Sequence, residues 1–400
     1  MDTVRLDTAL YNPLVATPAL VLDFEAISQT YDRFVDAYRA PQVQGLIFYA
    51  MKANANQAVL DLLGRKGAGF EIASLPELDK ALAAGAPGEQ IICSNPVKTP
   101  AFLRRMQAEG VYAVVADSAD ELDKIAQVAP GMRVYVRLAV DNTGSVLPLA
   151  GKFGVDAELA LALFDQARDL GLQPIGLSFH VGSQCLNPAN WVNAIRACGE
   201  VWQAAEARGH HFHFLDIGGG FPAGSYHTPS IPTIEGIACD VMAALEAYIP
   251  LRHDLMFVLE PGRGMVGESG RLLATIEGKA IRRTATGDQT WLYLDVGVFN
   301  GLMETYEGFP PVVSALDAAG RPLRTYTLAG PSCDSCDVIA RNVELPELQI
   351  GDRLVFHDAG AYTNEYAAAF NGFPIPQVVV LPEHPSDLAA ESDMFHAVLN

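Results

Sequence analysis

A parallel (β/α)8 barrel followed by a mostly-β domain is the fold that this 400-residue sequence predicts, and three observations carry it. Eight short apolar, β-branched runs alternate with segments of helical spacing up to about Arg263. The runs are almost continuously apolar, as strands covered on both faces by helical crossovers must be. Beyond Arg263 the texture changes to Val, Thr, Tyr, Pro and Gly with few helical periods, as in TWLYLDVGVF, LRTYTLAG and DRLVFHDAG. An open doubly wound sheet is the rival arrangement for the first part, but eight strand–helix units over about 220 residues fit a closed barrel.

In chain order, the apolar run Ala19–Leu22 reads as a strand lent to the C-terminal domain. The barrel is therefore assigned to residues 28–267 and the β domain to 1–27 plus 268–400. The first barrel run, Gly45–Ala50, precedes a helical segment at Ala55–Lys66. Gly69–Ala73 is followed by Pro76–Ala84, then come Gln90–Ser94 and Val111–Ala116, the latter leading to Ser118–Val128. Met132–Val140 leads to Ala157–Leu170, Pro174–Val181 to Pro188–Arg208, and Phe212–Ile217 to Ile234–Ala247. Met256–Glu260 is the eighth run. There is no internal repeat beyond the strand–helix unit.

Half of the residues are hydrophobic and 18% are charged, so a large core can form. The 27 Lys plus Arg against 47 Asp plus Glu give a net charge of −20, which repels nucleic acid and anionic membrane surfaces. The six cysteines are too scattered for a disulfide framework. No basic start with an apolar run and no stretch of about 18 uncharged apolar residues appears, so the expectation is a cytoplasmic protein outside the membrane.

Chemistry in a barrel collects where strands end, and the polar residues there are coherent. Lys52 follows the first run, where lost hydration favours a neutral amine able to attack a carbonyl. Glu71 lies in the second run, Ser94-Asn95 end the third, Arg137 lies in the fifth and His180 ends the sixth. Gly218–Gly220 and Gly262-Arg263 end the seventh and eighth, and offer backbone N–H groups and a guanidinium to a phosphate. Taken singly, a lysine after a strand is a solvated loop residue and the glycines are tight turns. Glu260 is a carboxylate at the end of an apolar strand and needs a partner, either an arginine or a protonated pyridine nitrogen. A flat imidazole at His180 could lie on an aromatic ring or simply be a satisfied core histidine. Amine, phosphate cradle, carboxylate and flat side chain together describe pyridoxal 5'-phosphate.

The strings FYAMKAN, GFEIAS, VRLAV, KFGV, SFHVGS, LDIGGGFP, EPGRGMV, GPSCDSCDVI, GAYT and FNGFP run through nearly the whole chain. Their content and order resemble the alanine-racemase-fold (fold-type III) pyridoxal-phosphate decarboxylases, in the branch of ornithine, lysine, arginine and diaminopimelate decarboxylases. The resemblance implies a homodimeric carboxy-lyase acting on a basic diamino acid, foremost L-ornithine to putrescine or L-lysine to cadaverine. It implies that Lys52 carries the cofactor, His180 stacks on its ring and Glu260 keeps the ring nitrogen protonated. Ser183, Gly219, Gly220, Gly262, Arg263 and Tyr362 match phosphate-gripping positions, and Glu71 and Arg137 match groups flanking the cofactor. Cys333 matches the thiol that reprotonates the α-carbon, Asp334 the acid that binds the distal amine and Phe370 an aromatic residue near the substrate carboxylate. The Cys333 segment would reach the opposite subunit's site.

Several positions depart from that pattern or invite other readings. Relatives acting on ornithine place a second acid where Val296 stands. Asp295 has the opposite strand parity, so Glu304 or Glu307 is the candidate for the second charge. Glu71 replaces a shorter aspartate. Cys333-x-x-Cys336 is a single pair and short of the four ligands of structural zinc, and His210, His211 and His213 lie at the entrance of a strand, so no metal is expected. The rivals are a racemase on the same barrel, which carbon-dioxide release would separate, other diamino acids including D-isomers as substrate, and a silent decarboxylase-like binding protein.

Overall fold

Each of the eight runs is too apolar to leave either face in water, and each becomes a parallel strand: β1 Val43–Ala50, β2 Gly69–Glu71, β3 Ile91–Cys93, β4 Ala113–Ala116, β5 Arg133–Arg137, β6 Gln173–Ser178, β7 Phe214–Asp216 and β8 Met256–Leu259. Every strand pairs with the next, and β8 returns to β1 with Phe257 opposite Gly45 and Leu259 opposite Ile47. The barrel predicted from the sequence is thus a closed ring. At the closing seam a Cβ on Gly45 would meet Leu259 Cδ1 at 2.4 Å and Tyr38 Cβ at 2.8 Å, so a larger residue there would have to displace its neighbours.

The computed structural model describes residues 9–149, 151–224, 230–285, 287–309 and 311–382. The barrel unit comprises Thr30–Pro222 and Ile231–Met265. Its helices start where the strands predict, just beyond the strand ends. Asn56, Ser74, Thr99, Ser118, Asp156 and Thr233 each accept a hydrogen bond from an amide in the first helical turn. Each such cap contributes about 1 kcal/mol. A helix that the sequence reading did not single out, Pro100–Ala108, lies between β3 and β4. Among the described residues no helix is long and apolar enough to cross a membrane.

The barrel interior is filled by Phe48, Ile92, Ala113, Val115, Tyr135, Ile175, Phe214 and Val258. Because strand side chains alternate, the residue two places on faces the same way. That step takes Ile92 to Ser94, Tyr135 to Arg137, Phe214 to Asp216 and Val258 to Glu260. The apolar layer is therefore followed, toward the strands' C-terminal ends, by a polar one. Lys98, its side chain wholly buried, fixes the loop that carries Ser94. Its ammonium donates to the carbonyls of Asn95, Pro96 and Val115 and pairs with Glu121 at 3.1 Å. Four acceptors offset the cost of burying that charge.

The second unit takes the described residues of Met1–Gln29, Ala223–Ser230 and Val266–Asn400. Ala19–Asp23 does enter its sheet, antiparallel to Gly270–Thr284 and parallel to Gln377–Leu381. Gly270–Thr284 also pairs with Gly287–Leu294 and Arg353–Phe356, and Leu323–Ala329 joins Gly287–Leu294 to Val338–Pro346. Leu10, Val15, Ala19, Val21, Leu273 and Val355 form an apolar cluster in this unit.

Candidate active site

The strand ends of the barrel bring Lys52, Glu71, His180 and Glu260 into one electrostatic neighbourhood. Lys52 sits in the single 3-10 turn Met51–Ala53 that follows β1. Its ammonium pairs with the Glu71 carboxylate at 2.5 Å; Glu71 is 2% exposed and Lys52 43%. A carboxylate buried at the end of β2 demands a cation, and the adjacent strand supplies one.

His180 follows β6, and its Nδ1 accepts the Gly182 amide at 3.0 Å, so Nδ1 bears no proton. Burial, together with the Arg137 guanidinium and the Lys52 ammonium, holds the imidazole well below the usual histidine range. The ring is therefore neutral, with its hydrogen on Nε2. Arg137, half-buried, ends β5 with its guanidinium over the Phe153 ring. Ser183 opens a short strand, Ser183–Cys185, paired with Ser145–Leu147.

Glu260 is 4% exposed and accepts a hydrogen bond from the Ser94 hydroxyl, which lies 2.7 Å from the Tyr135 hydroxyl. Burial and the Glu71 charge push Glu260 up to about 7, against the opposing pull of Lys52. Around it the backbone is stripped of side chains. Gly218 and Gly220 have φ of +63° and +92°, in the left-handed region that favours glycine. A Cβ on Gly219 would come 3.3 Å from His180 Nε2, and one on Gly262 would lie 3.0 Å from Ala53 Cβ. Arg263, 4% exposed, follows directly.

This donor set fits pyridoxal phosphate: a buried carboxylate for a ring nitrogen, an uncharged imidazole for a ring face, an amine, and glycine turns with a buried guanidinium for a phosphate. Residues 25–267 match the family described as "Pyridoxal-dependent decarboxylase, pyridoxal binding domain". The chain belongs to this family. The lysine/ornithine decarboxylase of Selenomonas ruminantium is 35% identical over 95% of this chain and 94% of its own. Antizyme inhibitor 2 of Xenopus laevis is 33% identical over 88% of this chain and 78% of its own. The crystal structure of SrLDC in complex with PLP and cadaverine superposes with a TM-score of 0.83 at 31% identity, covering 98% of both chains. The protein is thus a pyridoxal-phosphate-dependent amino acid decarboxylase of fold type III.

The second unit of the decarboxylase holds the remaining expected residues. Cys333 is exposed, and its thiol donates to Asn371 Oδ1 at 3.5 Å. That contact places it beside the FNGFP string, where Phe370 packs on Phe299 with ring centroids 4.6 Å apart. Asp334 Oδ1 accepts the Cys336 amide at 2.9 Å, which holds its carboxyl below the usual range. Tyr362, at φ +61°, stacks on Tyr366. Val296 is fully buried, and Asp295 accepts the Thr275 amide at 3.0 Å. Glu304, with Asp358, His357 and Tyr362, lines a recess of about 40 Å3, which Glu307 does not reach. Asp337 received no role from the sequence, yet it accepts the amides of Val298 and Ser332 and so ties the Cys333 loop to the Val296 loop. In the barrel unit, His210 bonds Asp165 and His213 bonds Tyr112.

A stability measurement checks the Glu260 environment. The folded chain binds this proton more tightly than the unfolded one, so the contribution is complete below about pH 4.5 and is lost as pH rises through about 7. The melting temperature of cofactor-free protein is expected to fall across that window, and Glu260→Gln is expected to flatten the fall. An identical slope in the variant would contradict the assignment.

Proposed function

We propose that this decarboxylase removes the α-carboxylate of a basic diamino acid, foremost ornithine or lysine, giving putrescine or cadaverine. The buried Glu260 at the strand ends, facing the same neighbourhood as Lys52, carries the reading. When bound, pyridoxal phosphate supplies an electron sink for the pair of electrons left at the α-carbon. Lys52 would hold it covalently, His180 would support its ring face, and Glu260 would keep a proton on its ring nitrogen. Glu71 and Arg137 would flank it. Ser183, Gly219, Gly220, Gly262, Arg263 and Tyr362 would grip its phosphate.

Cys333 would return a proton to the α-carbon, and Phe370 would wall the substrate carboxylate so that its loss occurs away from water. Asp334 would bind the distal amine. Glu304 would supply the second charge in place of Val296, because it lines the recess that Tyr362 shares. The Cys333 loop is exposed in the isolated chain, which supports a homodimer in which each copy completes the other's site. Six free thiols fit the reducing cytoplasm.

The test is a decarboxylation panel of L- and D-ornithine, L- and D-lysine, arginine and meso-diaminopimelate, with amine products identified by mass. Amine release from ornithine or lysine is expected, and its absence across the panel would sink the reading. Asp334→Ala should then weaken a diamino acid roughly 10- to 100-fold more than a monoamino analogue, the worth of a charged hydrogen bond. Equal losses on both would remove Asp334 from amine recognition.

A further inference from the structure

Directly beside Glu260 stands a second buried carboxyl that the reaction described above does not use. Asp216, 1% exposed, ends β7 with its backbone opposite Val258 of β8, two residues short of Glu260, and the two buried carboxyls are close enough for each to set the other's proton affinity. Two buried carboxyls so placed do not both ionise readily, so the pair holds one proton between them. The rest of the environment says where that proton sits. Glu260 receives a hydroxyl hydrogen from Ser94, so the Tyr135 hydroxyl must donate to Ser94 in turn, a chain of donors that favours negative charge on Glu260. Lys52 favours the same charge. The charges that bear on Asp216 from Glu260 and Glu71 are both negative, and its carboxyl is pushed well above the usual range by burial and by Glu260. Its Oδ1 accepts the Gly218 amide at 2.8 Å, which leaves Oδ2 as the oxygen able to carry a hydrogen.

We propose that Asp216 is a positioning residue that stays protonated and donates to Glu260, concentrating one negative charge on the oxygen pair that faces the cofactor's ring nitrogen. The Gly218 amide orients it, and that amide begins the glycine turn expected to hold the phosphate. The grip on phosphate and the charge opposite the ring nitrogen are therefore set by one side chain. The proposal rests on Glu260 being the partner of that nitrogen.

The test uses full-length, cofactor-loaded protein carrying a ring-15N label, read by NMR, together with infrared difference spectra of wild type minus variant. Wild type should show a protonated ring nitrogen and a carboxylic-acid stretch that disappears in Asp216→Asn. That variant can still donate to Glu260, and its ring-nitrogen shift should stay at the wild-type position. Asp216→Leu, which cannot donate, should move the shift toward the unprotonated value. A carboxylic-acid stretch that survives in Asp216→Asn overturns the proposal, and so does an unmoved shift in Asp216→Leu. If Asp216→Leu does not fold, the Asp216→Asn spectra decide alone. Glu260→Gln separates the two levels of argument: a shift unmoved there removes Glu260 as the nitrogen's partner, whereas one moved in Glu260→Gln but not in Asp216→Leu removes only Asp216.

Discussion

Replacing Lys52 by alanine is expected to lower turnover by at least about 10³-fold and to leave a chain that loses its cofactor on dialysis. The amine is irreplaceable in place as well as in kind. The 3-10 turn after β1 aims it, and Glu71 anchors it at 2.5 Å from a carboxylate with almost no access to water. The substitution also strips Glu71 of its cation, so a fall in stability should accompany the loss of activity, and Lys52→Arg separates the two by keeping the charge without a transferable amine. Borohydride treatment of wild-type protein should fix the cofactor to the peptide containing Lys52. A Lys52→Ala protein retaining more than roughly a tenth of wild-type turnover would defeat the assignment.

The second large effect is at Glu260. Glu260→Ala is expected to cost about 10²- to 10³-fold in kcat, the scale seen when one preorganised electrostatic partner is removed from a dry site. The apolar layer beneath is untouched, so the variant should fold. Because it deletes a buried acid whose proton is lost near neutrality, the cofactor-free variant should lose the fall in stability that wild type shows as pH rises through about 7. Loss of activity together with a flattened pH dependence is a pairing that a merely structural carboxylate would not give. A variant that keeps its activity, or keeps the wild-type pH dependence, would reassign Glu260.

Much of this site was legible because barrel strands advertise themselves. Ile91–Cys93 and Ala113–Ala116 are fully buried, and such runs cannot be mistaken for surface. The residues ending the runs then followed by position. Asp216 is hidden by pattern: in LDIGGGFP the glycines carry the visible signal, and the aspartate reads as part of the strand. The signal was its parity with Phe214, which turns inward. Tyr135 is hidden because an aromatic ring in an apolar strand reads as packing, and nothing local reveals that its hydroxyl meets Ser94. In the second unit, Gly270–Thr284 is the longest strand yet was not singled out. Its final residues are exposed and charged, so apolar alternation fades along it. Asp337 was invisible because its partners, Val298 and Ser332, become neighbours only once the sheet has formed.

The two-residue step from Phe214 to Asp216 and from Val258 to Glu260 separates what holds the ring of strands together from what reacts. Exchanging one storey leaves the other's packing in place. A lineage built on this plan can acquire a different amino acid as its cargo by rewriting the upper tier, while the lower one keeps the cylinder closed.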